Sequence, residues 1–226
     1  MQNNINIEAW FDQLQNSNKD TPHIVVGYGS LLSQKSRELY SNIRSFSLPV
    51  TVNGWERGWV TRSTEEEQTY VGAYQNSHSH FNGQAFYTDI DEQLLKREQD
   101  YRFSKLRLEQ IEFSPAISGL MLDMLSTCNV YVCETLELKL PCDEFPVNSS
   151  YIDTCLTGCF EVGGIEEAKR FVSTTKHWPV EYKQNDRLKP KYPRAASVDK
   201  FESKIFDQLQ LKKNDDEFSK TILSKA

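Results

Sequence analysis

No apolar run in this chain approaches the ~18 residues that a membrane-spanning helix needs, which argues against an integral helical membrane protein. Positive charge is not in excess either. Lys and Arg number 26 against 32 Asp and Glu, a formal net charge of −6, which argues against general nucleic-acid affinity, since that would want a basic face. The opening residues Met1-Gln2-Asn3-Asn4 are polar and hold no apolar signal core. No Cys-x-x-Cys spacing occurs. The five cysteines are Cys128, Cys133, Cys142, Cys155 and Cys159; the last two lie four apart, and His78 and His80 lie two apart. Neither spacing is that of a strong zinc site, and an odd count in a chain of this size does not make a disulfide framework. Free, mostly buried thiols, no metal and a reducing cytoplasmic compartment are the expectation.

What is present is a 226-residue chain with 38% hydrophobic and 12% aromatic residues. That suits one packed globular domain over 1–226: an N-terminal helix within 1–20, a core over 21–196, and a C-terminal helix and tail over 197–226. The organising stretch is His23-Ile24-Val25-Val26-Gly27-Tyr28-Gly29-Ser30-Leu31-Leu32. Ile24 to Val26 leave no polar face and read as a buried strand. Gly27 and Gly29 permit a sharp turn, and Ser30 or Ser33 can cap a helix running through Gln34 to Tyr40. Such a corner presents backbone N–H groups to one small volume, which suits an anion; the alternative is a tight structural turn. A dinucleotide fingerprint would need glycine at position 32, where Leu32 stands, and a Walker loop would need Gly-Lys-Ser/Thr. A small anion therefore fits better than a nucleotide.

Ile7, Trp10, Phe11 and Leu14 recur at helical spacing and predict an amphipathic helix over 5–16. Phe46, Leu48, Val50 and Val52 alternate as in a half-buried strand, and Asn53-Gly54 predicts a turn or bulge. Trp55 and Trp59, on either side of Arg57, read as a sheet face packed on a helix, with a ligand wall as the alternative. Ser63 to Gln68 reads as a hairpin tip, Tyr70 to Tyr74 and Gly83 to Tyr87 as strands, and Ser77 to Asn82 as a loop exposing His78 and His80.

Asp91 then caps a short helix of about two turns. Leu94 and Leu95 define its buried face, with Glu92, Gln93, Lys96, Arg97 and Gln99 toward water. Glu98 shares the apolar face, and an unpaired buried carboxylate is costly. Glu98 therefore either pairs with Arg62, Arg102 or Arg107, or serves chemistry. Leu106 to Phe113 and Cys128 to Leu138 read as strands, separated by a Met-rich helical or irregular segment from Ser114 to Ser126 whose run Leu120 to Leu125 reads as core. Asn148 or Ser149 caps a helix burying Tyr151, Ile152, Cys155, Leu156 and Cys159. Gly163-Gly164 turns the chain into a helix marked by Ile165, Ala168, Phe171 and Val172. Arg187 to Arg194 holds two prolines and is extended. It reads first as a surface strap, with a lid placing aromatic and basic groups over a pocket as the alternative. Val198, Phe201, Ile205 and Leu209 predict a final helix, followed by a loose or marginally helical tail from Lys212 to Ala226.

The glycine corner Tyr28-Gly29-Ser30-Leu31, several strands, a short helix carrying Arg97-Glu98-x-x-Tyr101, and a further strand together resemble the gamma-glutamylcyclotransferase-like superfamily. The resemblance covers roughly residues 23–113; the stretch from Tyr151 to Arg194 looks like an extension found in a bacterial or plant-like branch. It implies an α+β fold, a small mixed β-barrel with flanking helices. It also implies a cofactor-free cyclisation of the lyase or acyl-transfer kind. In that reaction the α-amino group of a small-molecule γ-glutamyl substrate attacks its own γ-carbonyl, giving 5-oxoproline and a released amine, amino acid or peptide. Carried over, Glu98 is the general acid/base, and Tyr28, Gly29, Ser30, Leu31 and Tyr101 line the substrate site. Tyr101 or a backbone N–H then faces the oxyanion. The competing readings are a non-catalytic binding module on the same fold and a hydrolase in which water replaces the internal amine.

Overall fold

The computed structural model describes residues 7–17, 21–113 and 119–223. The expectations for residues 1–6, 18–20, 114–118 and 224–226 lie outside the described residues. Helix α1 (Ile7–Gln15) buries Trp10, Phe11 and Leu14, and Trp10 Nε1 donates to the carbonyl of Ala85 at 3.1 Å. Strand β1 (His23–Gly27) follows, then a 3₁₀ turn (Ser30–Leu32) and α2 (Gln34–Ser41). Strands β2 (Ser47–Ser63) and β3 (Gln68–Tyr87) form a long antiparallel hairpin. Helix α3 (Glu92–Arg97), β4 (Tyr101–Leu106), β5 (Ile111–Phe113), α4 (Gly119–Ser126) and β6 (Asn129–Thr135) come next. The last elements are β7 (Val147–Asn148), α5 (Ser149–Thr174), β8 (Thr175–Lys176), β9 (Lys183–Gln184) and α6 (Lys200–Leu223). Among the described residues no helix is long and apolar enough to cross a membrane.

Strand β1, apolar from Ile24 to Val26, is paired along both its edges. It runs antiparallel to β3 (Ile24↔Tyr87 to Gly27↔Gln84) and parallel to β6 (His23↔Asn129 to Val26↔Val132). The order of the main sheet is β4-β6-β1-β3-β2-β5, with β8 added to β2. The hairpin is bent at two register shifts, one at Gly54, whose φ is +79°, and one between Trp59 and Thr61. Bulges bend strands and raise their twist. The far half of β3 therefore pairs with β1, while its near half swings over to meet β6 at Ala73↔Glu134. The result is a mixed α+β fold around a strongly curled half-barrel with flanking helices, as the sequence resemblance implies.

Several expectations need correction. Ser77 to Asn82 is not a loop but part of β3. The step from Asn53↔His80 to Trp55↔Gln75 advances two residues on β2 and five on β3, so the polar run is absorbed as a wide bulge in a continuous strand. His78 and His80 are exposed there, as expected. Leu106 to Phe113 is not one strand; a 3₁₀ turn (Leu108–Gln110) divides it. The chain must pass from β4, paired to β6, to β5, paired to β2 on the opposite edge of the sheet. In α3 the buried stripe is Leu94, Arg97 and Glu98, an i, i+3, i+4 set; Leu95 is 49% exposed, whereas the Arg97 side chain is 3% exposed. Among the described side chains of α6, Phe206, Leu209 and Gln210 are buried, and Phe201 faces solvent. In α4 Leu125 is buried and Leu122 exposed.

Helix α5 packs across the sheet's inner face. Trp55 and Trp59 are buried, and Trp59 meets Tyr151 of α5 and Trp178 edge-on at 5.8 and 5.2 Å. They are thus a sheet face on a helix, away from the cavity described below. Gly164 (φ 61°, ψ −147°) kinks α5 as Gly163-Gly164 predicts, and leaves Ile165 exposed. Asn148 occupies the N-cap without a side-chain bond; Asp186 instead accepts from the Ser150 N–H at 2.8 Å. All five cysteines are free thiols, three of them buried.

Gly158 sets how closely α5 approaches β1's corner. A Cβ there would lie 2.3 Å from the Leu32 carbonyl carbon and 2.4 Å from the Ser33 nitrogen. Neither backbone atom can swing aside. Gly158→Ala is expected to destabilise the fold by about 1–3 kcal/mol, the usual range for overpacking, in a urea melt. Gly119→Ala, with nothing within 4 Å of the new methyl, should leave the melt unchanged.

Candidate active site

The corner after β1 is shaped by contact. At Gly29 a Cβ would fall 2.7 Å from the Tyr151 hydroxyl and 2.9 Å from Val71 Cγ2, so only glycine fits. Ser33, not Ser30, caps α2, accepting from the Ser36 N–H at 3.4 Å. Arg37, one turn into α2, reaches back with its guanidinium to the carbonyls of Leu31 (2.7 Å) and Leu32 (2.9 Å) and to Gln84 Oε1 (3.0 Å). It is buried over the Phe86 ring. Burial lowers its pKa to about 10, with Glu161 opposing.

The hydroxyl of Tyr28 donates to the Cys133 carbonyl and accepts from the Ala73 N–H at 3.1 Å. It ties β1 to β6 and β3. The Tyr101 hydroxyl donates to the Val71 carbonyl at 2.8 Å. Burial raises the pKa of both phenols well above 10.0, so both stay neutral.

Helix α3 is capped as expected, Asp91 accepting from the Leu94 N–H at 2.9 Å, and it ends at Glu98. Glu98 is 9% exposed. Arg97 fixes it from the preceding position, with Nε 3.2 Å from Glu98 Oε1. This Nε makes no hydrogen bond, so the contact is an ion pair without directional alignment. The rest of the Arg97 fork enters a nest of serines: Ser36 O (3.0 Å), Ser41 Oγ (2.7 Å), Ser30 Oγ (3.0 Å) and Ser36 Oγ (2.9 Å). Arg97 thereby joins the corner, α2 and the carboxylate. Burial raises the pKa of Glu98; Arg97 and Arg194 pull it down, and Asp100 pushes it further up. The arginines expected as partners lie elsewhere. Arg102 pairs with Glu134 at 2.8 Å, Arg62 donates to the Leu140 carbonyl at 2.9 Å, and Arg107 lies 4.0 Å from Glu109.

These groups meet in one cavity of about 280 Å³. All six residues singled out in the sequence line it: Tyr28, Gly29, Ser30, Leu31, Glu98 and Tyr101. Buried Val26, Tyr70, Val71, Cys133, Tyr151 and Tyr192 complete the floor, while exposed Tyr40, Glu65, Gln93, Lys96 and Gln99 form the rim. Among the wall residues not singled out for this site are Tyr70, Tyr151, Tyr192 and Arg194. The last two belong to the extended stretch 187–194, whose alternative reading as an aromatic and basic cover over a pocket describes their position. Tyr192 is buried; Arg194 donates from Nε to its hydroxyl at 3.0 Å and from Nη1 to Glu66 Oε1 at 3.3 Å. Asp186, which caps α5, also accepts from the Lys191 N–H at 2.7 Å and so anchors the stretch.

Solved structures to which this chain is similar include gamma-glutamyl cyclotransferases. One, described as "Gamma-glutamyl cyclotransferase", is similar over 83% of this chain and 99% of its own, at 14% identity and a TM-score of 0.46. A human protein described as uncharacterized is similar over 84% of this chain and 99% of its own, at 13% identity and a TM-score of 0.47. A yeast gamma-glutamyl cyclotransferase specific to glutathione is similar over 85% and 99%, at 11% identity and a TM-score of 0.36. No family model and no curated protein matches the sequence.

Arg97 is central to the site's architecture, and removing one member of a buried pair leaves the other uncompensated. Arg97→Met should cost roughly 3–5 kcal/mol of stability in chemical denaturation. Arg102→Met, which removes a 62% exposed arginine and leaves the buried Glu134 its bond from Ser104 Oγ, should cost less than Arg97→Met.

Proposed function

We propose that this protein is a gamma-glutamylcyclotransferase-type enzyme that releases 5-oxoproline from a γ-glutamyl amine, amino acid or peptide. The observation that carries the reading is Glu98: a carboxylate withdrawn from water, with a raised pKa, on the wall of the cavity that also holds the Tyr28 to Leu31 corner. The sequence resemblance at these same residues supports it.

In this reading the substrate's α-carboxylate lies against the corner. Ser30 opens the 3₁₀ turn, and the first N–H groups of a helical turn have no acceptor within it. Glu98 takes a proton from the α-ammonium; a carboxylate with a raised pKa is a better base than one in water. The freed amine attacks the γ-carbonyl carbon, the carbonyl electron pair moves to oxygen, and a five-membered ring closes. Collapse breaks the bond to the leaving nitrogen, which receives the proton held by Glu98, and the ring nitrogen gives up its second proton to solvent. Holding the γ-glutamyl chain folded supplies much of the acceleration, since well-oriented intramolecular attack is worth about 7–11 kcal/mol. Tyr28 and Tyr101 serve as walls, because their hydroxyl protons go to the Cys133 and Val71 carbonyls. Arg97 positions Glu98 and keeps part of its ionised form available.

One observation favours the second reading, a binding module without turnover: Glu98 already has a cation 3.2 Å away. Glu98→Gln distinguishes the two, since it keeps the shape and removes the base. Release of 5-oxoproline from a panel of γ-glutamyl compounds should fall at least about 100-fold in the variant, with the fold intact by circular dichroism. Equal activity in both proteins removes Glu98 from the mechanism, and free glutamate in place of 5-oxoproline identifies a hydrolase.

The pH dependence follows from the same group. Protonated Glu98 cannot accept a proton, so kcat/KM falls as pH drops through its pKa. Because burial raises that pKa, the acidic limb should lie above the ordinary glutamate value of about 4.3. A pH profile of kcat/KM with no acidic limb above that value contradicts the assignment.

A further inference from the structure

We infer that Arg194 selects the leaving group: its guanidinium binds the free carboxylate of a departing α-amino acid, so the substrate is a γ-glutamyl amino acid rather than a γ-glutamyl amine. This rests on the cyclotransferase reading and deepens it by naming the substrate class.

Two arginines line the cavity, and they differ in what their donors already do. Arg97 commits both terminal nitrogens to Ser30, Ser36 and Ser41, and its side chain is 3% exposed. The Arg194 side chain is 18% exposed, so a molecule in the cavity can reach it. A guanidinium carries five N–H donors. Arg194 uses Nε on the Tyr192 hydroxyl at 3.0 Å and Nη1 on Glu66 Oε1 at 3.3 Å. The second contact is longer than the usual N–H···O range. Nη2 makes no hydrogen bond among the described residues. The unused edge is part of a planar fork, which matches a carboxylate.

Its position suits a carboxylate beside the reacting bond. The Tyr192 phenol that receives Arg194 Nε also feels a hydrogen bond from Ser30. Ser30 Oγ receives Arg97, whose Nε lies 3.2 Å from Glu98. Arg194 therefore stands one hydroxyl away from the corner, and it acts on Glu98 through space, favouring the ionised carboxylate. On its other side are half-buried Glu66 and exposed Glu65, toward the mouth. The leaving nitrogen takes its proton from Glu98, and in an α-amino acid the carboxylate is two bonds from that nitrogen. A departing amino acid thus brings its carboxylate to the solvent side of Glu98, where Arg194 lies. A departing amine brings no charge there. Glu65, Glu66 and Asp100 act on one another along this wall and repel a carboxylate held anywhere but on the guanidinium.

The test compares γ-glutamyl-alanine with γ-glutamyl-ethylamine, which differ by that carboxylate alone. Release of 5-oxoproline is measured for wild type, Arg194→Gln, Arg194→Lys and Lys96→Met. Wild type should favour γ-glutamyl-alanine in kcat/KM by about 10- to 100-fold, the size of a charge-assisted contact. Arg194→Gln should bring the ratio close to one. Arg194→Lys, which keeps the charge without the fork, should give an intermediate ratio and serves alone if the Gln variant fails to fold. Arg194 also acts on Glu98, but that change is common to both substrates and cancels in the ratio. Equal kcat/KM for the two substrates in wild type overturns the assignment. So does a ratio that survives in both Arg194 variants, or one that falls instead in Lys96→Met, the exposed lysine at the rim. In each of those cases 5-oxoproline still forms and the cyclotransferase reading stands. If wild type releases no 5-oxoproline from these two compounds or from the wider γ-glutamyl panel, that reading fails and the role of Arg194 with it.

Discussion

Three buried guanidinium groups converge on residues 28–32, and the shape of the cavity depends on them. Arg37 holds the carbonyls of Leu31 and Leu32, Arg57 reaches the Tyr28 carbonyl at 3.3 Å, and Arg97 holds the Ser30 hydroxyl. Burying a guanidinium is costly unless its donors are matched. Arg57 meets that demand with the Asn82 carbonyl and amide oxygen, the Phe171 carbonyl and the hydroxyls of Thr174 and Thr175, and it lies 4.0 Å from the centre of the Phe171 ring. Burial lowers its pKa to about 10, which still leaves it charged at neutral pH. A planar fork with several donors can hold two or three segments at fixed angles, which a lysine cannot. The glycine corner is flexible by composition and rigid by context.

The same economy explains the placement of Glu98. A helix of six residues has one narrow buried face, and Arg97 and Glu98 both lie on it with Leu94. Adjacent opposite charges enter the interior together, so the carboxylate is desolvated without being stranded. The ion pair keeps Glu98 from drifting to a fully neutral state, and burial keeps it from the pKa of a surface glutamate. The opposing effects leave a carboxylate able to both take and return a proton.

Much of this was legible in the sequence, for identifiable reasons. The buried strand at Ile24 to Val26, the bulge at Gly54, the Asp91 cap and the kink at Gly163-Gly164 are local signals with local causes. Glu98 stood out because a carboxylate on an apolar stripe violates the usual pattern. Arg97 was misplaced because a long polar side chain reads as solvent-facing, and only tertiary structure supplies the four serine contacts that draw it inward. The polar run 77–82 looked like a loop because sequence polarity does not reveal that β2 runs alongside it. Tyr70, Tyr151, Tyr192 and Arg194 come from three distant parts of the chain. Each reads as ordinary core or surface until the hairpin curls and the stretch after α5 crosses to meet it.

That crossing has a consequence for the order in which the protein becomes complete during synthesis. Strands β1 to β6 and the carboxylate at 98 leave the ribosome well before Tyr192 and Arg194. Until Asp186 engages the start of α5 and fixes the stretch that follows, the emerging half-barrel has an open side, and Glu98 lacks one of the two arginines that temper its charge. The nascent chain thus passes through an interval in which the cavity around Glu98 is wetted.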